Sequence, residues 1–119
     1  MSGTDRNEYA DGSGEPAEHA VIARFQLSGA GFGSERERGS VFELQNRLNE
    51  AIDDAGVGEL DGNEFGGGEV TLYAYGPNAD ALFVVMEPVL RSFPPRPAEV
   101  RLRYGSAGDL SAVERRVDL

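Results

Sequence analysis

The chain has 119 residues, with 11 Arg and no Lys set against 21 acids, which gives a net charge of −10 and a pI near 4.4. That length bounds it to one domain, and with about a quarter of its residues Leu, Ile, Val or Phe, most of it is expected to fold. The absence of cysteine excludes disulfides, thiolate nucleophiles, iron–sulfur clusters and thiolate zinc sites, and a single histidine excludes any site that needs two.

Residues 1–18 are acidic and rich in Gly, with no run able to bury a face, and are read as a disordered arm. Ala20 to Leu27 then alternates, placing Val21, Ala23, Phe25 and Leu27 on one side and Ile22, Arg24 and Gln26 on the other, the period of a half-buried strand. Glycines at 29, 31 and 33 break it. A helix follows whose stripe is Val41, Leu44, Leu48, Ile52 and Ala55, with Gly56 placed for a left-handed cap. Its start is assigned to a capping box of Ser40 with Glu43, and Ser34 with Glu37 offers an earlier alternative.

The segments Val57 to Phe65 and Glu69 to Tyr75 read as a hairpin turned by Gly66-Gly67-Gly68, with Asp61 and Asn63 suited to a turn or a bulge near Gly62. In the second of these strands Val70, Leu72 and Ala74 oppose Thr71, Tyr73 and Tyr75. Asn78 is a good N-cap for a second helix carrying Leu82, Phe83, Met86, Val89, Leu90 and Phe93, which Pro88 is expected to kink or break. Glu99 to Tyr104 alternates again, with Val100, Leu102 and Tyr104 opposite Glu99, Arg101 and Arg103. The tail, 106–119, has little apolar periodicity and is expected to be frayed or partly helical.

The order β α β β α β within 19–105 predicts an α+β domain, the ferredoxin-like sandwich, with a four-stranded antiparallel sheet in the order 4-1-3-2 and both helices on one face. The expected core is Val21, Phe25, Leu27, Leu44, Leu48, Ile52, Val70, Leu72, Leu82, Met86, Leu90, Val100 and Leu102.

The stretch from Gly58 through Asp61-Gly62-Asn63-Glu64 to Glu69, followed by Leu72-Tyr73-Ala74-Tyr75-Gly76-Pro77-Asn78-Ala79-Asp80-Ala81-Leu82-Phe83 and by Arg103-Tyr104-Gly105, resembles a family of small uncharacterised bacterial proteins. The resemblance spans 20–105 and implies the same ferredoxin-like fold, without an activity to carry over. In fold and charge alone the chain is similar to the acidic B-type regulator of ribonuclease activity. That family has a Tyr-Asp-Gly-Trp segment near its end, whereas here Asp61-Gly62 is followed by Asn63 within a hairpin.

Chemistry is sparse. Gly66-Gly67-Gly68 joins two strands rather than a strand and a helix and lacks the Lys and Ser/Thr of a phosphate loop, so it is read as a turn. Glu59, Asp61 and Glu64, near Glu69, could offer oxygen ligands to a divalent cation, with Tyr73 as a proton donor in a metal-dependent hydrolase, but a solvated acidic edge is preferred. His19 stands at a junction with no nucleophile to serve. No catalytic, cofactor-binding or metal residues are therefore assigned, and no cofactor is expected.

The six-residue apolar run Ala81 to Met86 falls short of the roughly 20 residues of a membrane span, and the acidic start does not read as a secretory signal. A soluble, cytoplasmic protein is expected. The acidity disfavours membranes and nucleic acid, although Tyr73 and Tyr75 on a sheet face echo half of an RNA-recognition surface. The remaining candidate is an interface on the open face: Arg24, Gln26, Thr71, Tyr73, Tyr75, Arg101 and Arg103, with a second copy of the chain as expected partner. An acidic inhibitor or immunity-type protein of a nuclease or toxin is the alternative.

Overall fold

The computed structural model describes residues 18–29, 31, 33–106 and 108–119. The arm expected at the N-terminus lies outside the described residues, apart from Glu18. The elements are β1 (His19–Gln26), α1 (Glu35–Ala55), β2 (Glu59–Gly66), β3 (Glu69–Gly76), α2 (Ala79–Ser92), β4 (Ala98–Arg103) and β5 (Glu114–Asp118). They form one antiparallel sheet in the order β2-β3-β1-β4-β5. The four strands expected from the sequence thus stand in the order 4-1-3-2, with β1 and β3 central neighbours.

The sheet has five strands, not four, and the tail is not frayed or helical throughout: Glu114–Asp118 pairs with β4, and the Leu119 N–H donates to the Ala98 carbonyl at 3.0 Å. Its sequence, Glu-Arg-Arg-Val-Asp, has one apolar residue, because an edge strand gains its ladder from a neighbour and needs little buried surface.

Alternate residues of the inner strands bury against the two helices. Val21, Ala23 and Phe25 of β1, Val70, Leu72 and Ala74 of β3, and Val100 and Leu102 of β4 meet Leu44, Leu48 and Ile52 of α1 and Leu82, Met86 and Leu90 of α2. All thirteen residues expected in the core are buried. Phe25 and Phe93 pack edge to face at 4.9 Å between ring centres. Side chains of this size each contribute about 1.5–3 kcal/mol by leaving water, which is why alternation suffices to fix which face turns inward. Ala55, included in the α1 stripe, is exposed, since the helix ends there and Gly56 turns the chain away with φ +65°.

α1 begins at Glu35 rather than after Ser40. Ser34 Oγ accepts from the Glu37 N–H, and Glu37 accepts from the N–H groups of Ser34 at 2.9 Å and Ser28 at 2.8 Å. The same carboxylate therefore caps the helix and ties it to the exit of β1, a tertiary bond that decides between two equal local motifs and holds the Glu37 pKa below its usual value. α2 is capped by Asn78, whose side chain accepts from the Ala81 N–H, and runs on through Pro88 without breaking. The carbonyl that the proline ring deprives of its partner belongs to Val84, which is exposed and open to water. The β2–β3 hairpin turns at Gly67 and Gly68, both at positive φ as a two-residue turn requires, and the register shifts between Leu60 and Gly62, the bulge expected there.

Candidate interface on the open sheet face

With both helices on one side, the other residues of each strand form a second face that nothing covers among the described residues. The pairings align them in rows. Tyr75 stands between Glu59 and Ala20, which is followed by Arg103 and Glu114. Tyr73 stands between Gly62 and Ile22, followed by Arg101 and Arg116, and Thr71 between Glu64 and Arg24, followed by Glu99 and Asp118. All seven residues singled out in the sequence share this face, Gln26 lying at its end beside Glu69.

The middle of the face is apolar or uncharged. Thr71 is buried, and Ile22, Tyr73 and Tyr75 are half-buried by their strand neighbours. Tyr73 Oη donates to Glu64 Oε1 at 3.0 Å, and burial together with that bond raises the phenol pKa. Gln26 Nε2 donates to the Gly68 carbonyl at 3.1 Å, which fixes the hairpin tip against β1.

The arginine side of the face is not the bare cationic half that the sequence implies. Glu99, only 18% exposed at its side chain, receives Arg101 Nε at 2.9 Å and lies 3.2 Å from Arg116 Nη2 and 3.7 Å from Arg24 Nη1. Arg24 also reaches Glu69 at 3.6 Å, Glu114 lies 3.5 Å from Arg103 and 3.9 Å from Arg101, and Arg116 pairs with Asp118 at 3.1 Å. The hydrogen bond from Arg101, followed by the charges of Arg116, Arg101 and Arg24, holds the Glu99 carboxyl below its usual pKa. Counting face residues on β1, β4 and β5, four arginines (24, 101, 103, 116) meet three acids (99, 114, 118), a net charge of +1. Glu59, Glu64 and Glu69 leave the β2–β3 side at −3. Sequence reasoning missed Glu99 as the hub and the β5 residues around it. Their signal was the alternation of Glu114, Arg116 and Asp118 about Val117, which places charge on one side of an edge strand.

The acids considered as metal ligands border the same face along β2 and its bulge. Glu59 and Glu64 lie opposite Tyr75 and Thr71, and Asp61 sits at the bulge between them. Among the described residues no three acids or histidines come close enough together to hold a metal ion. His19 Nδ1 accepts from the Ala79 N–H at 3.1 Å, and its ring packs edge to face on Tyr104 at 5.8 Å, so it closes the start of α2. Tyr104 Oη donates to Asp80 Oδ1, which raises the phenol pKa, and Arg115 lies 3.7 Å from the same oxygen. No helix is long and apolar enough to cross a membrane among the described residues. Compared with protein-family models, with curated proteins and with solved structures, the chain matches none.

Proposed function

We propose that the chain is a cytoplasmic protein-binding module of the ferredoxin-like type, related to the small bacterial proteins its central segment resembles, and that its partner is a second copy bound through the open sheet face. One observation carries the reading: a patch of Ile22, Thr71, Tyr73 and Tyr75, covered by no element among the described residues, is ringed by charged residues paired among themselves. An uncharged aromatic centre inside a polar rim is the anatomy of a protein interface, in which the centre supplies affinity and the rim excludes water.

The charge layout selects the orientation of a second copy. A two-fold axis parallel to the strands, running between β1 and β3, lays the +1 side of each copy over the −3 side of the other, whereas an axis across the strands would set like over like. Five strands about 4.8 Å apart and about six residues of roughly 3.3 Å give a face of roughly 400–500 Å² per copy. Two such faces bury about 1,000 Å², the low end for specific interfaces, so the dimer is weak and reversible.

Sedimentation velocity across the micromolar range is expected to show a concentration-dependent shift from monomer to dimer. Tyr73→Ala combined with Arg101→Glu is expected to leave a monomer that still melts cooperatively. A wild-type chain that stays monomeric throughout, or a dimer indifferent to both changes, would refute the assignment.

A further inference from the structure

A second feature lies away from the centre of the open face. Where β1 ends and α1 begins, Leu27 and Ser28, the part of α1 from Arg36 to Arg47 and the residues from Ser92 to Arg96 border an open cleft of about 630 Å³. Its floor is apolar, made by Leu27, Leu44 and Phe93 with Pro94 and Pro95, and its rim carries Arg36, Arg47 and Arg96. That volume falls within the range of small-molecule sites, which combine apolar walls with a few polar groups that orient the ligand.

The rim charge identifies the class of ligand. Three of the chain's 11 arginines border this one cleft, against the carboxylates of Glu37 and Glu43. Glu37 is already occupied by the amides of Ser28 and Ser34. Arg96 is held by the carbonyls of Phe93 at 2.6 Å, Pro95 at 2.8 Å and Arg91 at 3.3 Å, which fixes its charge beside the cleft. Arg47 donates through Nη1 to Ser92 Oγ at 3.0 Å, which draws it across the end of α2 and leaves its other guanidinium nitrogens for a ligand. Arg36 has neither an ion pair nor a hydrogen bond from its side chain among the described residues. In a chain of net charge −10, a cleft with a net positive rim over an apolar floor is a local exception.

We propose that this cleft binds a small amphipathic anion, a carboxylate carrying an aromatic or aliphatic body, with Arg47 pairing the carboxylate, Arg36 adding positive charge about three helical turns away on the same rim, and the Leu27, Leu44 and Phe93 floor taking the apolar part. Guanidinium favours carboxylate because its planar donors can pair both oxygens, and neither half of such a ligand leaves a group unsatisfied. The proposal stands independently of the dimer.

The test uses the full chain and an anionic bicyclic probe, 8-anilinonaphthalene-1-sulfonate, followed by its fluorescence on binding the folded protein. 4-Phenylbutyrate is expected to displace the probe at a concentration about tenfold below its neutral amide, 4-phenylbutyramide. Arg36→Glu with Arg47→Glu, both on the exposed side of α1, is expected to weaken probe and phenylbutyrate by about tenfold or more, with circular dichroism and melting unchanged. Ser40→Trp, which fills the cleft from α1, is expected to abolish both. Failure of the folded wild type to bind the probe, equal displacement by acid and amide, or undiminished binding in the arginine double variant would each overturn the proposal. The double variant decides the matter even if Ser40→Trp does not fold.

Discussion

Glu99 is the residue on which most of the open face's charge converges. Its carboxylate serves Arg24, Arg101 and Arg116 from three different strands, so removing it leaves three guanidinium groups facing one another, each with only its outlying acid, Glu69, Glu114 or Asp118. Partly exposed charged hydrogen bonds of this kind are worth more than isolated surface pairs and less than buried ones, so Glu99→Gln is expected to cost about 1–2 kcal/mol near neutral pH. The sign of the pH dependence follows from the depressed folded-state pKa. The stabilisation is complete above the unfolded value of 4.5 and disappears as pH falls through the lower folded pKa. Urea denaturation of wild type and Glu99→Gln should therefore show a gap that is constant above that value and closes progressively below it. A gap that persists unchanged into strong acid would mean that Glu99 acts through packing instead. From the sequence Glu99 could be placed on the face by alternation, but its role could not, because one of its three partners comes from a strand whose composition gave no sign of burial.

At the scale of the element, local sequence was sufficient wherever a single face had to be buried and insufficient wherever two local motifs competed. β1, β3 and β4 were legible because apolar and polar residues alternate over the core, and a slip of one residue would expose Phe25 or Leu72 to water. The start of α1 was not, because Ser34 with Glu37 and Ser40 with Glu43 have the same capping signature, and the Ser28 amide that decides between them is a tertiary partner. Ser34→Ala is expected to lower stability by about 1 kcal/mol, whereas Ser40→Ala, inside the helix, should remain within about 0.5 kcal/mol of wild type. Equal losses in chemical denaturation would point to a helix with two competing starts. The junction of α1 with β2 carries a different constraint. A Cβ at Gly58 would lie 2.2 Å from the Tyr75 carbonyl oxygen and 3.1 Å from the Gly76 Cα, and the residue has φ +153°. Both objections are to backbone, which cannot rotate away, so Gly58→Ala is expected to cost about 2–4 kcal/mol and to loosen the β2 edge in amide exchange. An alanine variant of near wild-type stability would show that the β2 edge can move aside at little cost.

For the whole molecule, the fold was more legible than the site because folding depends on which residues avoid water, whereas binding depends on which charges remain after their neighbours have answered them. Counting Arg24, Arg101 and Arg103 along the sequence suggests a cationic half of the sheet, but once β5 is in place Glu99, Glu114 and Asp118 stand against these three and Arg116, which leaves +1. Electrostatics between two copies is then a contest between that residual complementarity and the net charge of −10 on each chain. Two pairings of +1 with −3 at about 10 Å in water are worth roughly 2–3 kcal/mol, while two charges of −10 about 25 Å apart repel by on the order of 15 kcal/mol before screening. Salt acts on the two unequally. The Debye length falls from about 30 Å at 0.01 M to about 8 Å at 0.15 M, which removes most of the long-range repulsion and spares more of the short-range attraction. Dimerisation through the sheet face is therefore expected to strengthen by on the order of a thousandfold or more between those two ionic strengths, carried by the contact of Tyr73, Tyr75 and Ile22, and then to level off. Sedimentation equilibrium over that range distinguishes the alternatives: a dimer that weakens steadily with salt would be held by ion pairs between copies, and its contact would lie somewhere other than this internally paired face.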